Sequence, residues 1–577
     1  MFNLWGEHME KPLLQINDLS IDFNSNGLVT QALQHINLTV DRGEILAIVG
    51  ESGSGKSVTS LSILQLLPTP PARYRSGEVL FTTDDGQTRD ILKLTLAEIQ
   101  ALRGRHIAMI FQEPMTSLNP LLTCGFQVME AIREHFPFSA AAAREKTIAL
   151  FEEVQLPEPA LLFDRYPHQL SGGQKQRVMI AMAMSCNPAL LICDEPTTAL
   201  DVTVQQSILL LIHRLQQQNN MGVIFITHDL GVVSAVADRV AVMYKGQLVE
   251  QAATAVLFRS PQHAYTKALL ACRPALYAKG ERLPVVSDFM EASSVVGHQL
   301  TEQPAHTTQL ITNNPQPTTL LTVTDLSVHY PGKRNFLGQV LTYNKAVDHV
   351  SFEVYEGETL GLVGESGCGK STLGRAMLRL TDVSSGSLYY KGENLLTAKG
   401  SRLKELRREL QIVFQDPYSS LNPRRTIGDA IAEPLLVHGL IPSSRERKEK
   451  VIDLLEKVGL QSSHYHRFPH EFSGGQRQRI VIARALALNP RFVVCDESVS
   501  ALDVSVQAQV LNLLNDLKKA FGFTAVFISH DLSVVRYISD RIMVMNKGRI
   551  VETGVAEDLY NHPQSSYTRR LVESVPR

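Results

Sequence analysis

The sequence runs to 577 residues, more than one hydrophobic core accommodates, so several domain-sized units are expected. It is 44% hydrophobic and 20% charged, and 56 Lys and Arg against 58 Asp and Glu leave a formal charge of −2. That balance excludes a global pull toward nucleic acid or anionic lipid, and six cysteines without a Cys-x-x-Cys pair argue against a disulfide framework or zinc site and for a reducing compartment.

Residues 1–8 lack the basic-then-apolar order of a secretory signal, and no run of about 18 apolar residues follows, so the chain is not expected to span a bilayer. Residues 45–49 form a short apolar run, read as a buried parallel strand, that ends in Gly50, Glu51, Ser52, Gly53, Ser54, Gly55, Lys56 and Ser57. This Gly-x-x-x-x-Gly-Lys-Ser pattern is a phosphate-binding loop. Its backbone N–H groups wrap phosphates, Lys56 reaches the β- and γ-phosphates, and Ser57 coordinates Mg²⁺. Next come Phe111-Gln112-Glu113-Pro114 and then Ser171, Gly172, Gly173 and Gln174, small residues that open a helix and suit a second anion. Two further apolar runs, 190–193 and 223–226, deliver Asp194-Glu195 and His228. Asp194 is placed to hold Mg²⁺ through water, Glu195 to orient or deprotonate the attacking water, and His228 to touch the γ-phosphate. Ligands bind at the carboxyl ends of strands in an open parallel sheet, which is where all three residues fall.

The whole order then recurs. The loop returns as Gly364, Glu365, Ser366, Gly367, Cys368, Gly369, Lys370 and Ser371 with Thr372 behind it, an offset of 314 (364 − 50). Gln415, then Ser473, Gly474, Gly475 and Gln476, then Asp496-Glu497 and His530 follow at offsets of 302–303. Extra residues in the first copy fall around 74–91. Duplicated domains are therefore expected, the first over 1–274 and the second over 320–577. Between them, 275–319 is rich in Thr, Pro, Gln and Asn and reads as a linker, spanning roughly 35–40 Å if it behaves as a coil. Each unit already has a phosphate loop, so the second anion site makes sense if it covers the nucleotide held by the other copy. Two composite head-to-tail ATP sites result.

Phosphate loop, Gln loop, Ser-Gly-Gly-Gln signature, Asp-Glu strand, Ala-Leu-Asp loop (Ala199-Leu200-Asp201 and Ala501-Leu502-Asp503) and switch His, in that order, resemble the ABC ATPase family over both halves. The resemblance implies two tandem α/β cassettes, each a P-loop parallel-sheet core with an antiparallel β subdomain and a helical subdomain. The flanks 111–120 and 414–423, Tyr166-Pro167-His168 and Phe468-Pro469-His470, and the tails 261–266 and 563–568 are similar to the dipeptide, oligopeptide, nickel and glutathione importer ATPases. In that group Gln112 and Gln415 contact Mg²⁺ and relay nucleotide state, and Ser171 and Ser473 cap the γ-phosphate in trans. Asp201 and Asp503 join the nucleotide site, Phe23 and Tyr330 stack on adenine, and segments 113–169 and 416–471 grip a permease. Ser498 replaces Pro196 without touching the chemistry, and Cys272 alone cannot hold the iron–sulfur cluster some relatives carry. His464, His466 and His470 read as structural, since His470 matches His168.

The expected function is the ATP-hydrolysing subunit of an importer on the cytoplasmic face of a bacterial inner membrane. It would work with two permease subunits and a separate solute-binding protein, and with no nucleic acid. Dipeptides or short peptides are the first candidate solute, glutathione the second, nickel or a metal chelate the third. The competing readings are a soluble tandem ATPase acting on ribosomes or DNA and a nucleotide sensor without turnover. The first lacks zinc-type cysteine pairs, a charged coiled coil and a basic surplus; the second conflicts with the intact Glu and His pairs.

Overall fold

The computed structural model describes residues 11–25, 27–112, 117–197, 200, 202–292, 318–332, 335, 340–500 and 502–574. The chain divides into two compact units that part between Leu270 and Ala271. In the first, a six-stranded sheet runs Ile107–Ile110, Leu190–Asp194, Gly222–Ile226, Ile45–Val49 and Arg239–Tyr244 in parallel, with Gln247–Ala253 antiparallel at the edge. Every residue of its three central strands is buried, as a parallel sheet covered on both faces requires. Alternate side chains then serve opposite faces. Leu46, Ile48, Ile192 and Ile224 pack with Leu14, Ile16, Val79 and Phe81 of an antiparallel sheet. Ile45, Leu191, Val223 and Phe225 pack with Val128, Phe151 and Ile180 of the helical side.

The antiparallel sheet is ordered Leu28–Val40, Leu14–Ser25, Ala72–Thr82, Thr88–Asp90. The extra residues of the first copy lengthen its last hairpin, which in the second unit is only Ser385–Tyr390 with Glu393–Asn394. Between the central strands the helices Cys124–His135, Ala140–Glu153 and Pro159–Phe163 form the helical subdomain. Thr123 and Ser139 start the first two by accepting hydrogen bonds from backbone N–H groups that have no partner within the helix. The second unit repeats the plan, its parallel strands running Leu410–Val413, Phe492–Asp496, Thr524–Ser529, Thr359–Val363 and Arg541–Asn546, with Arg549–Val555 antiparallel.

The beginning of the Thr/Pro-rich segment is ordered and belongs to the second unit. A turn at Pro274–Leu276 and a helix at Val286–Ala292 flank Leu283, whose backbone N–H and C=O are both bonded by the buried Asn512 amide at 3.0 and 2.8 Å. The Tyr537 hydroxyl donates to the Glu281 carbonyl at 2.7 Å, and Lys279 and Arg282 pair with Asp540 and Asp516. Residues 293–317 lie outside the described residues.

Matched positions in the two sheets have been fitted separately. Ala47 in the first lies at the place of Gly361 in the second, where a Cβ would approach Val535 to 2.3 Å and the Ser539 hydroxyl to 2.6 Å; Ala237 replaces Ser539 in the first unit. Gly361→Ala should therefore lower the urea midpoint of the second unit, at a cost of about 1–3 kcal/mol. Adding Ser539→Ala should recover part of that loss, and equal midpoints for all three proteins would contradict the packing.

Candidate functional site

In each unit the central parallel strand runs into a glycine-rich loop and then a helix, Lys56–Ile63 or Lys370–Met377. The residue before each helix is left-handed, Gly55 at φ 105° and Gly369 at φ 108°, and a Cβ on Gly369 would lie 2.0 Å from the Ala346 carbonyl. Only glycine satisfies both the dihedral and the space. The loop turns back on its own lysine. Lys56 Nζ donates to the Gly50 and Glu51 carbonyls at 2.7 and 3.0 Å, and Lys370 Nζ to those of Gly364 and Glu365 at 2.7 and 3.0 Å. Both lysines are about 95% buried. They are cations held at the start of a helix, where its first backbone N–H groups also favour an anionic oxygen.

The neighbouring strands supply the acids. Ser57 Oγ donates to Asp194 Oδ1 at 3.2 Å, and Ser371 Oγ to Asp496 Oδ1 at 2.7 Å. Burial pushes both aspartates above the usual carboxylate range despite that hydrogen bond. A buried carboxylate whose pKa stays raised even with a lysine nearby, set beside a hydroxyl, fits a hard divalent cation that completes its shell with phosphate and water oxygens. Among the described residues no three His, Cys, Asp or Glu converge as a metal cluster. His464 instead accepts a hydrogen bond from the Gln461 N–H at 3.3 Å and packs edge-on against Phe472.

Glu195 and Glu497 follow at φ 47° and 45°, a left-handed kink that turns each carboxylate out of the strand line. Gln112 Nε2 donates to Glu195 Oε2 at 3.1 Å, and Gln415 Nε2 to Glu497 Oε2 at 2.6 Å. His228 Nδ1 lies 3.3 Å from Glu195, and His530 Nδ1 lies 3.8 Å from Glu497. Burial works to raise the Glu497 carboxyl, but His530, Lys370 and Gln415 outweigh it and hold the pKa below the ordinary value. Burial likewise opposes charge on His530, and its Glu497 partner overrides it, raising the ring's pKa.

In the second unit a cavity of about 290 Å³ gathers Gly367, Lys370, Ser371, Thr372, Gln415 and Glu497 with Tyr330, Asn344 and Ala346. Asn344 and Ala346 carry no motif and reach the cavity from the antiparallel strand Tyr343–Tyr355, which precedes the strand that runs into the loop. Tyr330 pairs with Asn344 as Phe23 pairs with Thr30, so the two aromatic rings hold matched register positions. Ser171 and Ser473 cap their helices reciprocally with Gln174 and Gln476, and the second signature is not part of its own unit's cavity lining. Asp503 begins the helix Val504–Phe521 and is buried, while Asp201 lies outside the described residues.

The family described as ABC transporter matches residues 33–198 and 347–500, and the oligopeptide/dipeptide transporter C-terminal region matches 249–291 and 551–577. A glutathione import ATP-binding protein, GsiA, from Pectobacterium atrosepticum is 48% identical over 574 residues, 98% of this chain and 90% of its own. The proteins of the same name from Salmonella typhimurium and Escherichia coli O157:H7 are also 48% identical over 98% of this chain, and over 90% and 89% of their own. A solved dimeric bacterial ABC transporter cassette is 27% identical, covering 41% of this chain and 99% of its own at a TM-score of 0.38.

The His530–Glu497 pair makes a direct claim about titration. The His530 ring should titrate above 6.5, and Glu497→Gln should bring it down, read by NMR with His530→Gln assigning the signal. Because the folded pKa is raised, the stability the pair contributes is present below the ordinary histidine pKa and is lost as pH rises through the raised one. A titration unchanged by Glu497→Gln would contradict the pairing.

Proposed function

The chain belongs to the ABC transporter family, and on that premise we propose that it is the ATP-hydrolysing subunit of an importer of short peptides, with glutathione the specific candidate. The observation that carries this reading is the double occurrence of a complete Lys, Asp-Glu, Gln and His set in the same geometry. Likeness to glutathione import ATP-binding proteins along almost the whole chain supports the choice of solute. Glutathione is itself a short peptide, so the two candidates share one chemistry.

In this reading Lys56 and Lys370, aimed by their loop carbonyls, turn their remaining N–H donors to the β- and γ-phosphates of ATP, and Phe23 and Tyr330 stack on adenine. Ser57, Gln112 and Asp194 in one site, and Ser371, Gln415 and Asp496 in the other, would hold Mg²⁺, which when bound neutralises charge on the phosphates. Glu195 and Glu497 orient the attacking water and accept its proton, with His228 and His530 steadying each carboxylate beside the γ-phosphate. Each Ser-Gly-Gly-Gln helix start serves the nucleotide of the other cassette, and Asp201 and Asp503, six residues after Glu195 and Glu497, join the nucleotide sites. ATP then favours closure and hydrolysis releases it, a bistable element that a permease can follow.

No helix among the described residues is long and apolar enough to cross a membrane. In this reading the spanning part belongs to partners: two permease subunits gripped by the helical subdomains on the cytoplasmic face of the inner membrane, with a separate solute-binding protein outside. A tagged chain recovered in mild detergent should bring down two permease subunits, and proteoliposomes of that complex with its binding protein should take up glutathione when ATP is supplied. Recovery of ribosomal or DNA-repair proteins with no membrane partner would contradict the importer reading.

A further inference from the structure

In each cassette a tyrosine from the C-terminal extension reaches the phosphate loop. Tyr265, on the helix Ala264–Ala271, accepts a hydrogen bond from the Glu51 N–H at 2.9 Å; Tyr567, on the helix Ser566–Glu573, accepts one from the Glu365 N–H at 3.1 Å. Both rings are buried. The Glu51 N–H and the Gly50 C=O belong to one planar peptide unit, and that carbonyl is the one that takes Lys56 Nζ at 2.7 Å. The tyrosine hydroxyl and the lysine ammonium thus hold opposite ends of the same rigid plane, and the second cassette repeats the arrangement through Gly364-Glu365 and Lys370. Rotating the plane would break both bonds together.

The tyrosines are themselves aimed by a built anchor. Glu250 accepts from the Gln262 and His263 N–H groups at 2.7 and 2.9 Å, and Glu552 from those of Gln564 and Ser565 at 2.8 and 2.9 Å. Each glutamate stands on the antiparallel edge strand and fixes the turn from which the tyrosine helix starts. The support beyond that differs. Tyr265 packs on Tyr244 with ring centroids 4.3 Å apart, whereas Asn546 takes the place of Tyr244 in the second cassette and Arg570 lies 6.0 Å from the Tyr567 ring.

We propose that Tyr265 and Tyr567 are positioning residues of the two ATP sites, setting the loop peptide that presents the phosphate-binding lysine. The proposal rests on the reading of these loops as ATP sites and gives the C-terminal extension a part in nucleotide binding. Without the hydroxyl, a part-buried N–H loses this acceptor, the peptide turns, and the lysine loses the carbonyl that aims it at the phosphates.

The test is the full-length double variant Tyr265→Phe with Tyr567→Phe, which keeps both rings. Its KM for MgATP should rise about five- to tenfold, the worth of one ordinary hydrogen bond, with kcat changed less than about twofold. The Kd for ATP by equilibrium dialysis should weaken by the same factor. Unchanged KM and Kd would overturn the proposal, as would a fall in thermal midpoint with kcat reduced and KM unmoved, the mark of a merely structural ring. A chain that binds ATP with the predicted weakening yet never turns it over would sink the ATPase reading and leave the tyrosine contact standing.

Discussion

Each cassette keeps a lysine ammonium almost out of water where its parallel strands end, and an ion in that position has to be compensated. The loop carbonyls of Gly50 and Glu51, or Gly364 and Glu365, do this, and they can reach the lysine only because glycines let the backbone curl around it. The sheet follows from the same demand. Strands buried on both faces bring the Asp-Glu and His residues to the same edge, so the acids and the cation share one low-dielectric corner. Glu497 and His530 show the outcome, each favouring the charge of the other against its own burial.

The two cassettes are alike where chemistry is done and differ where only packing is at stake. The distances from lysine to carbonyl agree between copies, and both glutamates share the left-handed kink. Behind the site, Ala47 with Ala237 becomes Gly361 with Ser539, and the Tyr244 that supports Tyr265 becomes Asn546. Side chains bound into one network of lysine, acid and histidine must keep their distances, whereas core neighbours need only fill a volume between them.

The order of motifs made the α/β cassette architecture legible before any coordinates, because strand, glycine loop and helix are coupled by the chemistry of phosphate. Apolar runs at 45–49, 190–193 and 223–226 lie in strands as expected, and Tyr330 lies in the second cavity. What stayed hidden was long-range and carried by single side chains. Leu283 and Asn512 order the start of the Thr/Pro-rich segment through one buried amide, with no periodicity to mark it. Tyr265 meets Glu51 across 214 residues, and its sequence signal, a Tyr-Thr repeated in both tails, marks a resemblance without naming a contact. Asn344 and Ala346 sit on an edge of the cavity that strand register creates and local sequence does not reveal.

The account's central claim is that the chain holds two working ATP sites, with Glu195 and Glu497 activating water in each. Comparing the steady-state ATPase rates of Glu195→Gln and Glu497→Gln, singly and together, tests it most directly. The account predicts that each single change lowers turnover to a similar extent, by about half or more, and that the double variant loses at least about a hundredfold while retaining bound ATP. A single variant that hydrolyses ATP at the unaltered rate would contradict it, leaving one site to do the chemistry and the other only to bind.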